Sequence, residues 1–450
     1  MSDRDTICAP ATAGGVAAVA VVRLSGPEAV AVLDRLTGGP ARTWPARRAV
    51  LAPVVDADGP IDEALVTVFR APASYTGEDV VELGLHGSPY IVQRVLQAAV
   101  KAGARLARPG EFTLRAYLNR KLDLSQAEAV ADLIAGQSAA AHRLAMQQLR
   151  GGYSAHIDAL RQQLIDFCAL IELELDFGEE DVTFARRDEL DTLLVDLIAL
   201  CTGLIDSFRY GNAVKQGVPV AIVGAPNSGK STLLNALLQE DRAIVSDIPG
   251  TTRDTVEETI TLDGIQFRFI DTAGLRETGD TVERMGIERS YRKAREAAIV
   301  VLLGDAAALN EDAFLTQAAL LRERIGEGPQ LLPVLNKSDL AEAGRSGRVM
   351  RISARTGQGL DALKAAFMRH VQALHHDEGG VVVTNARHVE ALAHARQALE
   401  DARAGLSQGI SGDLLAVDLR RAMHHLGEIT GRISPDDVLG SIFGRFCIGK

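Results

Sequence analysis

The stretch Gly224-Ala-Pro-Asn-Ser-Gly-Lys-Ser231 decides how this chain is read. It fits the pattern G-x-x-x-x-G-K-[ST]. Before it, Val218 to Val223 is a short apolar run that reads as a buried parallel strand. After it, Thr232-Leu-Leu-Asn-Ala-Leu-Leu238 reads as the opening of a helix. A strand, a glycine-rich turn and a helix start are the context in which this pattern cradles phosphates. Phosphate oxygens need many donors close together, and Gly224 and Gly229 let backbone N–H groups converge on them. The helix N-terminus adds its partial positive charge. Lys230 then reaches the β- and γ-phosphates, and the Ser231 hydroxyl ligates Mg2+.

Three further motifs follow in order, each after a strand-like run. Asp271, Thr272, Ala273 and Gly274 come after Ile265 to Ile270; a carboxylate at a strand end can hold Mg2+ through water, and Gly274 lets backbone approach the γ-phosphate. Asn336, Lys337, Ser338 and Asp339 come after Leu331 to Leu335. Asp339 can accept both N–H groups on the edge of guanine, and a site built on such bonds rejects adenine strongly. Ser353 and Ala354, after Val349 to Ile352, complete the base pocket. Four such motifs in this order point to guanine-nucleotide binding, with Asn227, Ser228, Gly229, Lys230, Ser231 and Thr232 around the phosphates.

The catalytic details are less ordinary. Leu275 stands where Ras-type GTPases carry the glutamine that orients the attacking water, and a leucine cannot do so. The segment Ser246, Asp247, Ile248, Pro249, Gly250, Thr251 and Thr252 reads as a switch loop against the nucleotide. Thr252 is the choice for a second Mg2+ ligand. Asn227 is a neutral oxygen donor beside the phosphates, suited to a monovalent cation.

At 450 residues the chain has room for two to four domains. With 47% hydrophobic and 24% charged residues it matches an ordinary globular protein. Four scattered cysteines, with no C-x-x-C and no histidine cluster, argue for a reduced, cytoplasmic chain without structural zinc. No basic leader opens the chain, and no run of roughly 18 apolar residues could span a bilayer. A net charge of −11 argues against a broad nucleic-acid surface, so any RNA contact is local or delegated to a partner.

Residues 1–118 mix strand-like runs (Val16 to Leu24, Leu65 to Phe69, Val80 to Leu85) with helical ones (Pro27 to Leu36, Ile91 to Ala102), as in an α/β domain. Its dense polar spots are Arg23, the run Tyr75 to Asp79 with Glu82 and His86, and Arg108 to Arg115; surface turns and ion pairs are their ordinary fate. Ser125 to Glu128 reads as a capping box opening a helix to about Phe177, broken at Gly151-Gly152. A stripe from Leu190 to Phe208 predicts a second helix over 188–209, with Cys201 in its core. Helices return over 385–404 and 413–429, and Ser434-Pro435-Asp436-Asp437 caps a last one. The resulting expectation is a multidomain α/β chain. Helical parts 119–216 and 376–450 flank a P-loop domain with a mainly parallel sheet, 217–375, inserted into them.

These residues together resemble the MnmE (TrmE) family, the bacterial tRNA-modification GTPases, over essentially the whole chain. The resemblance rests on Tyr75 to Asp79, Arg108 to Phe112, Asn119 to Leu124, Asn227, Gly250 to Asp254, Asp271 to Arg276 and the terminal Phe446-Cys-Ile-Gly-Lys450. It implies an N-terminal domain like folate-binding domains, which also dimerises, and a Ras-like G domain. It implies a 5-formyl- or methylene-tetrahydrofolate bound through Arg23, Glu82, Lys121 and Lys450. It further implies a homodimer that acts with a flavin-dependent partner, MnmG, in a heterotetramer or larger complex. Together they place a carboxymethylaminomethyl or aminomethyl group on C5 of the wobble uridine of certain tRNAs. It also implies a K+ ion held by Asn227, Ser246, Ile248 and Thr251 in place of an arginine finger, with Glu283 as the water-orienting carboxylate. Catalysis of GTP hydrolysis thus falls to Glu283, Lys230 and Thr252. Two other readings are a ribosome-assembly switch and a self-sufficient folate transferase. The first has no use for the N-terminal domain and tail; the second would need a flavin or nicotinamide fingerprint that is not present.

Overall fold

The computed structural model describes residues 5–152, 154–176, 186–242, 258–270, 291–340, 348–374, 381–433, 436–444 and 446–450. They divide into two units: Met1–Ile134, Gln147–Leu190 and Asp401–Lys450 form one, Ala135–Met146 and Asp191–Glu400 the other.

The first unit is built on a six-stranded sheet of β1 (Ile7–Pro10), β2 (Val19–Ser25), β3 (Ala49–Asp56), β4 (Gly59–Phe69), β5 (Val80–His86) and β6 (Arg105–Leu106), in the order β3-β4-β5-β2-β1-β6. Only β1 and β6 run parallel. Alternation along β2 and β5 sends Val22, Leu24, Val81, Leu83 and Leu85 into the core, with Val32, Leu33 and Leu36 of α1 (Ala29–Thr37) and Val95 of α2 (Pro89–Lys101). The same period puts Arg23 and Glu82 on the other face, directly paired across the two strands. That face also carries the exposed Leu51 and Leu65, which are partners and share a row with Gly84 and Val21.

Helices follow: α3 (Glu111–Leu118), α4 (Leu124–Ala135), α5 (Ala139–Leu149) and α6 (Ser154–Asp176). The expected capping box lies two residues upstream of its place. Asp123 Oδ1 accepts from Gln126 N–H at 2.7 Å and Gln126 Oε1 accepts from Asp123 N–H at 2.9 Å, so Asp123 is the cap. Ser125 is instead buried, its hydroxyl taking a bond from Gln148 Nε2 at 3.2 Å. The long helix breaks at residues 136–138 as well as at Gly151-Gly152, because Ser138 Oγ caps a new start by accepting from Ala141 N–H at 3.1 Å. The strand expected from Val16 begins at Val19, and β4 starts at Gly59, ahead of Leu65.

The second unit contains most of α7 (Arg187–Gln216), which outruns its expected end. It also contains β7 (Val218–Gly224), α8 (Lys230–Arg242), β8 (Glu258–Leu262), β9 (Ile265–Phe269), β10 (Ile299–Asp305), α9 (Glu311–Ile325), β11 (Gln330–Asn336), β12 (Met350–Arg351), α10 (Leu360–Leu374) and most of α11 (Ala386–Gln408). The sheet order is β12-β11-β10-β7-β9-β8, and every pair is parallel except β8 with β9. This is the expected mainly parallel sheet. Phe267 stacks on Phe367 of α10 at 5.5 Å between centroids, closing the core on one side. The β8–β9 turn is fastened to α5, where Ala140 N–H donates to Gly264 O at 3.0 Å.

The chain then returns to the first unit. There α12 (Gly412–Thr430) packs along α6, with Arg161 Nε donating to Met423 O at 3.2 Å, and α13 (Asp436–Phe443) leads to the tail. Ser434 and Pro435 of the expected last cap lie outside the described residues. Cys8, Cys168 and Cys201 are buried, and burial pushes their thiols up to about 11, 11 and 12. No described helix is long and apolar enough to cross a membrane.

Replacing the true cap tests the register. Asp123→Ala should cost about 1 kcal/mol in urea unfolding, the usual worth of such a cap; an unchanged midpoint would return the helix start to Ser125.

Candidate functional site

In the second unit the ends of β7, β10, β11 and β12 lie side by side in register, so the motifs that follow them converge on one edge. At Gly224, closing β7, a side chain would run into Leu303 O of β10. Gly229 has φ +95, and a Cβ there would strike Asn336 Nδ2. These two positions admit only glycine. Asn227 takes a left-handed φ of +62 and is exposed; asparagine is among the few residues that tolerate this. Lys230 opens α8 and its Nζ donates to Gly224 O and Ala225 O, both at 2.9 Å, which arches the side chain over the loop. Burial lowers the pKa of its ammonium. Ser231 and Thr232 are exposed in the first turn of α8.

The base end is tied to the phosphate end. Asn336 Nδ2 donates to Ser228 O, and Asn336 Oδ1 accepts from Ala354 N–H, both at 2.9 Å. Lys337 has φ +63, and Ser338 N–H donates to Ile352 O at 3.0 Å. The buried Ser353 hydroxyl donates to Asp339 Oδ1 at 2.6 Å while its oxygen accepts from Thr356 N–H at 3.2 Å. Asp339 is thereby oriented by a chain of bonds that starts at the backbone. The structure thus brings together Asn227 to Thr232, Asn336 to Asp339, Ser353 and Ala354. Ser246, Asp247, Ile248, Pro249, Gly250, Thr251, Thr252, Asp271, Thr272, Ala273, Gly274 and Glu283 lie outside the described residues.

A second cluster sits in the first unit. Arg23 Nε donates to Glu82 Oε1 at 2.9 Å, Arg23 Nη1 donates to Gly449 O at 3.3 Å, and the guanidinium lies 5.5 and 5.7 Å from the ring centres of Tyr75 and Phe112. The tail is held from two sides. Gly110 N–H donates to Cys447 O at 3.4 Å and Phe112 N–H to Lys450 O at 3.2 Å; Gly449, with φ +97, passes so close to Pro10 O that no side chain fits. Burial, followed by the Arg23 charge, lowers the Lys450 pKa. Cys447 is exposed, unlike Cys8, Cys168 and Cys201.

Beneath this cluster Arg105 and Arg115 bond with Asp5, Glu78 and Glu111, and Glu111 Oε2 also accepts from Arg108 N–H at 2.8 Å, fixing the start of α3. Lys121 Nζ donates to Pro72 O at 3.1 Å, and among the described residues no hydrogen bond or ion pair joins it to Arg23, Glu82 or Lys450. His86, the last residue of β5, bonds through Nδ1 to Asp62 Oδ1 of β4 at 2.7 Å. The sequence reading missed Gly449 as a partner of Arg23, since only the grip of Gly110 and Phe112 on the tail brings it there. The alternation of β2 and β5 was the signal for Arg23 with Glu82.

Fold and loop geometry define a P-loop GTPase domain inserted into a helical protein. A family model of the MnmE helical domain matches residues 124–447, and one of the GTP-binding protein TrmE N-terminus matches residues 6–121. The tRNA modification GTPase MnmE of Christiangramia forsetii is 47% identical over 475 residues, covering 100% of this chain and 100% of that protein. That of Porphyromonas gingivalis is 48% identical over 472 residues, covering 100% and 98%. The chain belongs to the MnmE family, and it is a GTP hydrolase.

Two loop substitutions should part company. Gly229→Ala forces a left-handed alanine into Asn336 and should cost about 2 kcal/mol or more, with loss of GDP binding. Ser228 is buried, and its Oγ has no hydrogen-bond partner among the described residues. Ser228→Ala should therefore be neutral or stabilising by up to about 1 kcal/mol, since it removes an unsatisfied hydroxyl. Urea unfolding and fluorescent-GDP titration read both; a strongly destabilised Ser228→Ala would show that the hydroxyl has a partner.

Proposed function

We propose that this GTP hydrolase acts in tRNA modification. With a flavin-dependent partner of the MnmG kind, it adds a carboxymethylaminomethyl or aminomethyl group to C5 of the wobble uridine of certain tRNAs. The one-carbon unit comes from 5-formyl- or methylene-tetrahydrofolate. The observation that carries this reading is the tail folded onto Arg23 and Glu82. A carboxylate, a guanidinium and a half-buried lysine beside two aromatic rings suit a heteroaromatic ring that bears anionic groups. A plain nucleotide switch has no need of them. Arg23, Glu82 and Lys450 would hold the folate, and Lys121 would serve at its periphery.

In the G domain, the exposed Ser231 with Thr252 would ligate Mg2+. The exposed, left-handed Asn227 with Ser246, Ile248 and Thr251 would hold K+, since neutral oxygens match a singly charged cation. Held by these residues, the two ions would supply positive charge to offset that developing between the β- and γ-phosphates. Lys230 binds the phosphates, Asp271 to Gly274 line the γ-phosphate, and Asp339 reads the guanine edge. Glu283 orients water through a bridging molecule, because a bare carboxylate would be repelled by the phosphate. The chain works in the cytoplasm as a homodimer, supported by the exposed row of Leu51 and Leu65 on the first unit's sheet. At a net charge of −11, tRNA is met locally or through the partner.

Hydrolysis should fall when Na+ replaces K+, and Glu283→Ala should lower kcat by about 10²–10⁴ with nucleotide affinity nearly unchanged. If Arg276→Ala abolished turnover and the ion made no difference, an arginine finger would replace this mechanism.

Arg23→Ala, or removal of Lys450, should weaken 5-formyltetrahydrofolate binding by calorimetry, with GTP hydrolysis as the fold control. Because the Lys450 pKa is lowered, a bound anion raises it again, and binding takes up protons at alkaline pH below the ordinary lysine value near ~10.4. Unchanged affinity would leave these residues as surface charges.

A further inference from the structure

Asp305 ends β10 directly opposite Asn336 of β11. Its Oδ2 accepts from Lys337 Nζ at 2.6 Å, and its Oδ1 accepts from Ala307 N–H at 2.9 Å. The strand ends are also joined by Ala306 N–H donating to Asn336 O at 2.8 Å. The carboxylate is thus fixed from behind by backbone, and it draws the lysine stem from the end of β11 across to the end of β10. Lys337 itself stands at φ +63, a conformation that a lysine does not choose unaided, so its surroundings over-determine it. Two residues further on is Asp339, oriented in turn by Ser353.

We propose that Asp305 is a positioning residue of the guanine pocket: by pinning the Lys337 ammonium it holds the lysine stem as a preformed wall of the base slot. A lysine has four rotatable side-chain bonds, and a wall ordered only on binding would subtract from affinity. Asp305 orders it beforehand. The wall touches the base and not the phosphates, so its effect is the same for GDP and GTP. The inference rests on the reading of Asp339 as the guanine-selecting residue.

The test uses the full chain and stopped-flow release of fluorescent GDP. Asp305→Ala should speed release by roughly three- to tenfold, the range open to a partly exposed ion pair, and weaken GDP and GTP binding equally. Asp305→Asn, which still accepts from the ammonium, should recover part of the loss. In a Lys337→Ala background Asp305→Ala should add nothing, whereas a carboxylate that merely braces the Ala307 turn would add its full effect. Unchanged release, or additive losses, would overturn the proposal. Asp339→Asn, assayed with GTP and XTP, separates the two layers. If it shifts preference to xanthine while Asp305→Ala does nothing, only the positioning role falls. If base preference stays with guanine, the pocket reading falls and Asp305 goes with it.

Discussion

Both ends of the Asn336 amide are committed, one to the phosphate loop through Ser228 O and the other to the base loop through Ala354 N–H. The side chain is buried, so each bond left unmade would cost the desolvation of a polar group, about 1–3 kcal/mol. Much else depends on this pair. Gly229 has to be glycine because Asn336 lies against it, and the loop it closes presents Lys230 at the head of α8. Phosphate and base ends of one ligand are therefore held at a set separation by a single side chain, before any nucleotide contributes.

The first unit solves a similar problem with charge. Arg23 is a cross-strand partner of Glu82, stacks near two rings and reaches the tail carbonyl of Gly449. A guanidinium with so many partners is costly to bury alone and well compensated here. The acids and arginines under α3 keep the helix start where Gly110 and Phe112 can grip the tail. Each cluster joins segments far apart in sequence, the first through strand ends in register and the second through strand pairing and the tail.

That explains which parts were legible from residues alone. Phosphate and base motifs are short, lie at strand ends and carry their chemistry locally, so Gly224 to Ser231, Asn336 to Asp339 and Ser353-Ala354 could be read directly. The helix start near Ser125 was ambiguous in principle: Asp123 with Gln126 and Ser125 with Glu128 are both valid boxes. Burial of Ser125 under Gln148 decides between them, and no local pattern announces it. Lys121 was grouped with Arg23, Glu82 and Lys450 by resemblance alone, and its bond to Pro72 O is one that no local pattern announces. Asp305 is an ordinary acid after an apolar run until pairing with β11 sets it beside Lys337. Register is a long-range property, and it is what the linear chain conceals.

The clasped tail also orders events during synthesis. Arg23 and Gly449 are 426 residues apart, and the whole G domain is made between them. Domains fold in the order they leave the ribosome, and closing so long a loop adds little entropy beyond that of a shorter one. A nascent chain can thus shape its first sheet and its nucleotide site early. The surface around Arg23 stays unfinished until translation has passed residue 449. A chain cut short anywhere after the G domain would lack what the tail brings to Arg23, so the finished cluster reports that translation reached the tail.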